Sequence, residues 1–534
     1  MAQAGEQDGG RVSGGAALVS ALEALDVDVA FGLPGVHNLA AWKAFGDSAV
    51  RLVGVRHEQT AGYAADGYAR ATGRLGVAIT TTGPGAANVI AATGEAWSCH
   101  TPLLVIATDV PTTVRRPGQY RGVLHETTDQ ASFFRPVTKA VVHVTRAEDL
   151  HEAVLRAGRL ALQAPRRPVY VEVPTDLLSA LVDRPVAVPV AAVDEAAAPA
   201  PDVKALLDAL STAKRPLLWV GGGATASGAA AEVRAVAEAL GAPVLCSYGG
   251  RGLLPPDHPL LVPLPPHSEA AGDLWDAADV VLVVGSDLDA MNTQGFRQPR
   301  PPVLLAIDLV PLVNVTPDVH VQADARQALA ALATRLEGTR APWAVRPGAR
   351  PEMPFLDALE AALPADAVVV ADMCVAGYWF GGFGRVGAPR GLAYPVGWGT
   401  LGFGFPAALG TSLSGRPTVA VVGDGGFLFA CGDLATAAQE RLPVTVVLVD
   451  DGGYGMLRYD FVQDAEQPVG TELEPPDFVA LAAAFRVAAR EVAVTGLTAA
   501  VREGIASGRP NLVVVRATYH PPPNTSPNWY RAAR

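Results

Sequence analysis

Residues 418–454 read TVAVVGDGGFLFACGDLATAAQERLPVTVVLVDDGGY. An apolar, β-branched run from Thr418 ends in Gly423-Asp424-Gly425-Gly426, and a helical run follows. A second apolar run, Val444 to Val449, ends in Asp450-Asp451-Gly452-Gly453. Near-continuous apolar strands alternating with amphipathic helices are the signature of a buried parallel sheet. In an open α/β sheet, ligands sit at the carboxyl ends of the strands. Free backbone N–H groups at a helix start favour an anion there, and Gly425 and Gly426 carry no Cβ to keep it at a distance. Asp424 offers a hard oxygen ligand, and Asp451 offers a second from the next strand. With one backbone carbonyl they make three protein oxygens. Diphosphate oxygens and water could complete an octahedron suited to Mg²⁺. Either Asp/Gly-rich turn alone is an ordinary turn; two at the ends of successive strands point to one site.

The same alternation extends in both directions. Before the quoted stretch come VDVAFGL, GVAITTT, PLLVIAT and PVYVEVP, then RPLLWVG, VVLVVGS and PVLLAID, then AVVVAD; after it comes NLVVVRA. Helical stretches such as Glu58 to Thr72 lie between. Two Pro-rich stretches, 184–201 and 338–354, lack either periodicity and read as connectors. The expectation is an α/β protein of three doubly wound parallel-sheet domains, at residues 1–183, 202–337 and 352–534.

Composition narrows the function classes. The chain has 534 residues, 50% hydrophobic and 18% charged, with mean hydropathy +0.24, which excludes a disordered or fibrous protein. A net charge of −12 leaves no basic footprint for a nucleic-acid partner. Cys99, Cys246, Cys374 and Cys431 form no CxxC pair, which argues against a disulfide scaffold or zinc finger and suits a reducing, cytoplasmic compartment. The first 15 residues are polar and Gly-rich and read as a frayed tail. Residues 391–415 carry no charge, yet Pro395, Pro406 and many glycines make them a buried loop followed by a helix rather than a membrane span. His57-Glu58 and His125-Glu126 lack the second His of a zinc-protease helix. GGGATASG at 221–228 lacks the acidic partner of a dinucleotide loop, and no GxSxG elbow is present.

GDGG, with a second acidic position 27 residues on (451 − 424) in DDGGYG, resembles the thiamine-diphosphate motif of the acetolactate synthase and pyruvate decarboxylase superfamily. The resemblance covers almost the whole chain. Phe31-Gly32-Leu33-Pro34-Gly35, Val55-Arg56-His57-Glu58, the run Ala61 to Arg70 and Thr81-Thr82-Gly83-Pro84-Gly85 with Asn88 resemble that family's pyrimidine-binding domain. Gly221-Gly222-Gly223 is similar to its central domain. The implied order is pyrimidine-binding, central and diphosphate-binding. The resemblance implies that Leu33, Pro34, Thr81, Pro84 and Asn88 belong to the cofactor site. It also implies Glu58 as the carboxyl group on N1′ of the pyrimidine, which switches the cofactor's 4′-amino group to the imine that takes the C2 proton. Gly399 and Leu401 would meet the pyrimidine, with Leu401 as the wedge that bends the cofactor. Asp424, Gly425, Gly426, Asp451, Gly453, Gly455 and Met456 would hold the diphosphate, with Asp424, Asp451 and Gly453 on Mg²⁺.

Departures from the pattern refine this. Acetolactate synthases carry Phe-Gln-Glu where this chain has Leu124-His125-Glu126. Simple 2-oxo-acid decarboxylases keep a His pair in a similar stretch, so His125 is expected to give and take protons, with Glu126 in the second place. The acceptor-selecting Trp of the synthases is replaced by Asp460, and the glutamate of pyruvate decarboxylases by Leu457. The LHET and GTLG stretches resemble 5-guanidino-2-oxopentanoate decarboxylases, and Asp460 would suit such a cationic substrate. Gly285-Ser286-Asp287-Leu288-Asp289 lacks the arginines that hold FAD in the synthases, so FAD is unlikely. The second metal position, usually Asn, is Asp451. The expected function is thiamine-diphosphate- and Mg²⁺-dependent decarboxylation of a small-molecule 2-oxo acid, through an enamine released as aldehyde. The alternatives are an acetolactate-synthase-like carboligase and, from another class, a non-catalytic binding protein that retains the fold. The resemblance implies a homodimer or homotetramer with active sites between subunits, without a nucleic-acid or membrane partner.

Overall fold

A computed structural model describes residues 10–116, 118–185, 201–344, 350–525 and 528–531. The fold is three α/β domains, each built on a parallel sheet. By internal contacts the chain falls into two compact units. The first takes the described residues of Met1–Asp194 with Gly397–Ser414 and Ala430–Leu442; the second takes those of Glu195–Val396, Gly415–Phe429 and Pro443–Arg534.

The first unit holds a six-stranded sheet in the order Arg51–Gly54, Val29–Gly32, Gly76–Thr80, Leu103–Asp109, Val169–Pro174, Ala140–His143, parallel throughout. Strand Leu103–Asp109 is buried along its whole length. Leu104 and Ile106 pack into one core with Leu18, Leu22 and Val154, while Leu103 and Val105 pack into another with Phe31, Val53 and Phe134. Both faces of the sheet are therefore covered, as the unbroken apolar run requires. Each such buried side chain contributes about 1.5–3 kcal/mol.

The second unit holds two sheets. One runs Val244–Cys246, Pro216–Val220, Val280–Val284, Val303–Asp308, Val319–Gln322. The other runs Leu392–Ala393, Val368–Ala371, Thr418–Gly423, Val444–Asp450, Asn511–Arg516, Ala488–Glu491. Thr418–Gly423 and Val444–Asp450 are parallel neighbours, with Gly423 beside Val449. The two Asp/Gly turns thus leave adjacent strands at the same end of the sheet.

One expectation is corrected. The first 15 residues are not all a loose tail: Arg11–Ser13 pair antiparallel with Leu181–Asp183, and helix Gly14–Ala24 begins at once. Glycine permits this packing. A Cβ on Gly14 would lie 2.1 Å from the Leu177 carbonyl oxygen, and one on Gly15 would lie 2.5 Å from that of Ala40. The connector 184–201 falls largely on residues 186–200, and 338–354 includes 345–349; both stretches lie outside the described residues. The uncharged segment 391–415 forms a short strand, a loop and the buried helix Gly404–Thr411. Among the described residues no helix is long and apolar enough to cross a membrane.

Candidate active site

In the first unit, the site grows from the start of helix Glu58–Thr72. His57 caps the helix, its Nδ1 accepting from the Gln59 N–H at 3.2 Å, and Gly73 closes it at φ +77°. Asp433 fixes the entry to the helix. Its carboxylate accepts from the Arg56 N–H at 2.8 Å and the Thr60 hydroxyl at 2.6 Å. Glu58, the first helical residue, is only 7% exposed. Asn88 Nδ2 donates to Glu58 Oε2 at 3.0 Å. A Cβ on Gly85 would lie 3.3 Å from Glu58 Oε1 and 2.8 Å from Thr81 Cγ2. Glu58, Thr81 and Asn88, distant in sequence, therefore meet at the Thr81–Gly85 turn.

The other wall of that turn carries His125. Gly83 stands at φ +65° and a Cβ there would lie 2.5 Å from the His125 carbonyl oxygen. Gln130 pins the turn: its Oε1 accepts from the Gly83 N–H at 2.6 Å, while its Nε2 donates to the Thr108 carbonyl and the Tyr170 hydroxyl. Glu126, next to His125, uses one carboxylate oxygen to hold its own loop, while its Oε1 is buried without a hydrogen-bond partner. Its Oε2 accepts from the backbone N–H groups of Arg121 and Val123 and closes the loop. Leu33 and Pro34 are held by Asn38, whose Nδ2 donates to the Leu33 carbonyl and whose Oδ1 accepts from the Gly35 N–H. Pro84 opens the short helix Pro84–Asn88.

Gly399 and Leu401 lie in the loop before helix Gly404–Thr411. Gly399 takes φ +69°, and Leu401 is half-buried. Buried Glu95 anchors this loop, accepting from the Trp398 N–H at 2.8 Å and pairing with Arg70 at 3.2 Å. Helix Gly404–Thr411 packs across helix Glu58–Thr72 with almost no clearance. A Cβ on Gly67 would lie 2.1 Å from the Ala407 carbonyl oxygen, and one on Gly410 1.8 Å from that of Ala64.

In the second unit, Asp424 opens a short helix after Gly423, and it is 1% exposed. Neither of its carboxylate oxygens has a hydrogen-bond partner. Burial pushes its pKa up to about 6, the backbone N–H groups of Gly425 and Gly453 oppose the rise, and the nearby Asp451 and Asp450 charges add to it. Burial also raises Asp451, while Arg458, an ion-pair partner at 3.4 Å, pulls the other way. Arg458 also donates to the Asp451 carbonyl at 2.9 Å. The extra charge of an aspartate here is thus balanced from the helix that follows. Asp451 Oδ2 lies where a Cβ on Gly455 would sit, 2.0 Å away. Gly425 packs against Tyr454, and Gly453 at φ +152° packs against the Thr471 carbonyl, so the two loops interlock. Gly426 is buried and Met456 lies on helix Gly455–Gln463. Among the described residues no cluster of three His, Cys, Asp or Glu side chains is placed to hold a metal. Two carboxylates and a carbonyl remain. The orphaned, buried oxygens of Asp424 fit a hard cation, since a positive charge would satisfy both.

Sequence reasoning missed His37, Glu95, Gln130 and Asp433. Glu95, Gln130 and Asp433 act on segments distant in the chain, and no local pattern marks them. His37 alone carried a signal, as a titratable residue two positions after Pro34-Gly35.

A parallel-sheet fold with acidic turns at adjacent strand ends, and a buried glutamate at a helix start facing a glycine-rich turn, fits a cofactor-dependent α/β enzyme. Three models of one family match the chain in series: the thiamine pyrophosphate enzyme N-terminal TPP-binding domain over residues 12–133, the central domain over 203–332 and the C-terminal TPP-binding domain over 373–515. A probable 2-ketoarginine decarboxylase of Pseudomonas aeruginosa is 37% identical over 90% of this chain and 89% of its own. A probable acetolactate synthase large subunit of Methanocaldococcus jannaschii is 28% identical over 94% and 91%. The solved thiamine-diphosphate-dependent 4-hydroxybenzoylformate decarboxylase of Rhodococcus jostii superposes with a TM-score of 0.82 at 25% identity, covering 95% of this chain and all of that one. This chain belongs to the thiamine pyrophosphate enzyme family, as an enzyme of its decarboxylase and acetolactate synthase type.

Proposed function

We propose that the protein decarboxylates a 2-oxo acid and releases an aldehyde, with Mg²⁺ anchoring the cofactor's diphosphate. The observation that carries this reading is that Glu58 and His125 approach one glycine-rich turn, the Glu58 carboxylate at Gly85 and the His125 backbone and Cβ at Gly83. The bound thiamine diphosphate supplies the electron sink for carbon–carbon cleavage. Glu58 holds a proton on the pyrimidine N1′, in a pocket that Asn88 and the Asp433-anchored helix start keep rigid. His125 would hold the proton that the reacting carbon takes up after CO₂ leaves, and would accept one as the aldehyde departs. Asp424, Asp451 and the Gly453 carbonyl would hold the metal, and the glycine turns leave room for the phosphates. Two copies of the chain complete each site, Glu58 coming from one and Asp424 from the other.

The substrate side chain is read as cationic. Asp460 has a buried Oδ1 without a hydrogen-bond partner, a place for a guanidinium or ammonium group, and the similar Pseudomonas protein is named for a guanidino 2-oxo acid. Similarity to acetolactate synthases keeps carboligation as the second reading. Incubating the enzyme, thiamine diphosphate and Mg²⁺ with a panel of 2-oxo acids, and scoring CO₂, aldehyde and acyloin, tests both. Aldehyde equal to CO₂, with cationic acids preferred, supports the proposal; acyloin as the main product overturns it.

A further inference from the structure

His37 takes no part in the reading so far, yet it lies against His125. The two rings meet edge to face, with centroids 5.2 Å apart and planes at 75°. The Nδ1 atom of each ring is buried and has no hydrogen-bond partner. Both residues sit on fixed backbone. Asn38, 1% exposed, ties the loop on either side of His37 to Leu33 and Gly35. His125 occupies the left-handed region at φ +67°, against Gly83. A non-glycine residue held there is a local cost that its surroundings must enforce, and such residues concentrate at functional sites. We propose that His37 is the positioning residue for His125, its ring packed so that the two imidazoles work as one acid–base unit beside the Thr81–Gly85 turn. This rests on the decarboxylase reading for its role in turnover.

The physical reason is like charge at short range. Two imidazoliums in contact repel, so a charge on one ring disfavours a charge on the other. One ring is then a donor while the other is an acceptor. Burial lowers the His37 pKa, and the charge of His125 lowers it further. The carboxylate of Asp109, at the end of strand Leu103–Asp109, opposes both. Asp109 is itself paired with Arg115, which also donates to the Thr127 carbonyl and so keeps that charge balanced. His37 is therefore held toward its neutral form, with a ring nitrogen free to accept beside His125. Proton donation to carbon and recovery from the hydroxyl need both forms in one turnover.

Two measurements on the full-length protein test the pair. Diethyl pyrocarbonate modifies only neutral imidazole, and its reaction at His37 can be followed by peptide mass spectrometry across pH. Changing His125→Phe should move the His37 midpoint upward; an unchanged midpoint overturns the pairing. The second measurement is CO₂ release by the loaded enzyme. His37→Phe keeps a ring in the packing but no nitrogen. It should lower kcat about tenfold, leave KM and thiamine diphosphate affinity within about twofold, and cut activity on the acid side at higher pH than in the wild type. A wild-type kcat and pH profile in His37→Phe would reduce His37 to a packing residue and overturn the proposal. If that variant does not fold, His37→Gln carries the same prediction. A wild type that releases no CO₂ from any 2-oxo acid overturns the decarboxylase reading, and the reactivity measurement still decides the pair.

Discussion

At the scale of single residues, Asp424 shows how a buried carboxyl group opposes the stability of the protein that carries it. Its carboxyl is buried with both oxygens unpartnered, and its pKa is raised to about 6. A group raised above its unfolded value stabilises the fold at low pH, and that contribution fades as pH rises through the folded value. Between about pH 4 and 7 the metal-free protein therefore loses roughly 3 kcal/mol at this residue. Asp424→Asn should raise the melting temperature of the metal-free protein at pH 8, leave it nearly unchanged at pH 4, and abolish stabilisation by Mg²⁺ with thiamine diphosphate. Thermal melts at the two pH values check this. Arg458 plays the complementary part at Asp451. Arg458→Gln leaves that carboxylate uncompensated and should weaken diphosphate binding several-fold in a cofactor titration, because an unbalanced negative charge faces the anion.

At the scale of elements, the contact between helix Glu58–Thr72 and helix Gly404–Thr411 depends on glycine. At Gly67 and Gly410 a Cβ would overlap backbone carbonyl oxygens, which have no rotamer by which to yield. Gly410→Ala should cost about 3 kcal/mol, read as a loss of unfolding free energy in denaturant. The buried strands were legible in the sequence because a strand covered on both faces is apolar along most of its length. Leu103–Asp109 and Val444–Asp450 are of this kind, and both are buried throughout. The edge strands were not. Ala488–Glu491 is mostly exposed and reads AARE, and Val319–Gln322 reads VHVQ, so neither shows an apolar run. The loop residues of the site divide in the same way. Asp424 and Asp451 carried a signal because each closes an apolar run with glycines. Gln130 and Asp433 act only through contacts made after folding, and neighbouring sequence does not encode them. Arg11–Ser13 was read as tail because the strand it pairs with, Leu181–Asp183, lies far along the chain.

At the scale of the whole molecule, a chain of net charge −12 folds into three parallel sheets whose site residues are split between two compact units. If Glu58 of one copy serves the cofactor held by Asp424 of another, the protein is a dimer or tetramer at micromolar concentration in sedimentation; a monomer would contradict this. Inactive Glu58→Gln and Asp424→Asn chains, co-expressed in equal amounts, should then recover about one quarter of wild-type activity, because mixed dimers contain one intact site. The purified protein should also lack stoichiometric flavin absorbance. The central claim is that one carboxyl group on the pyrimidine side drives the chemistry. The most direct test is CO₂ release by Glu58→Gln at saturating thiamine diphosphate and Mg²⁺, with cofactor binding followed by circular dichroism. Turnover should fall at least about 100-fold while the protein stays folded; turnover at the wild-type rate would contradict the account.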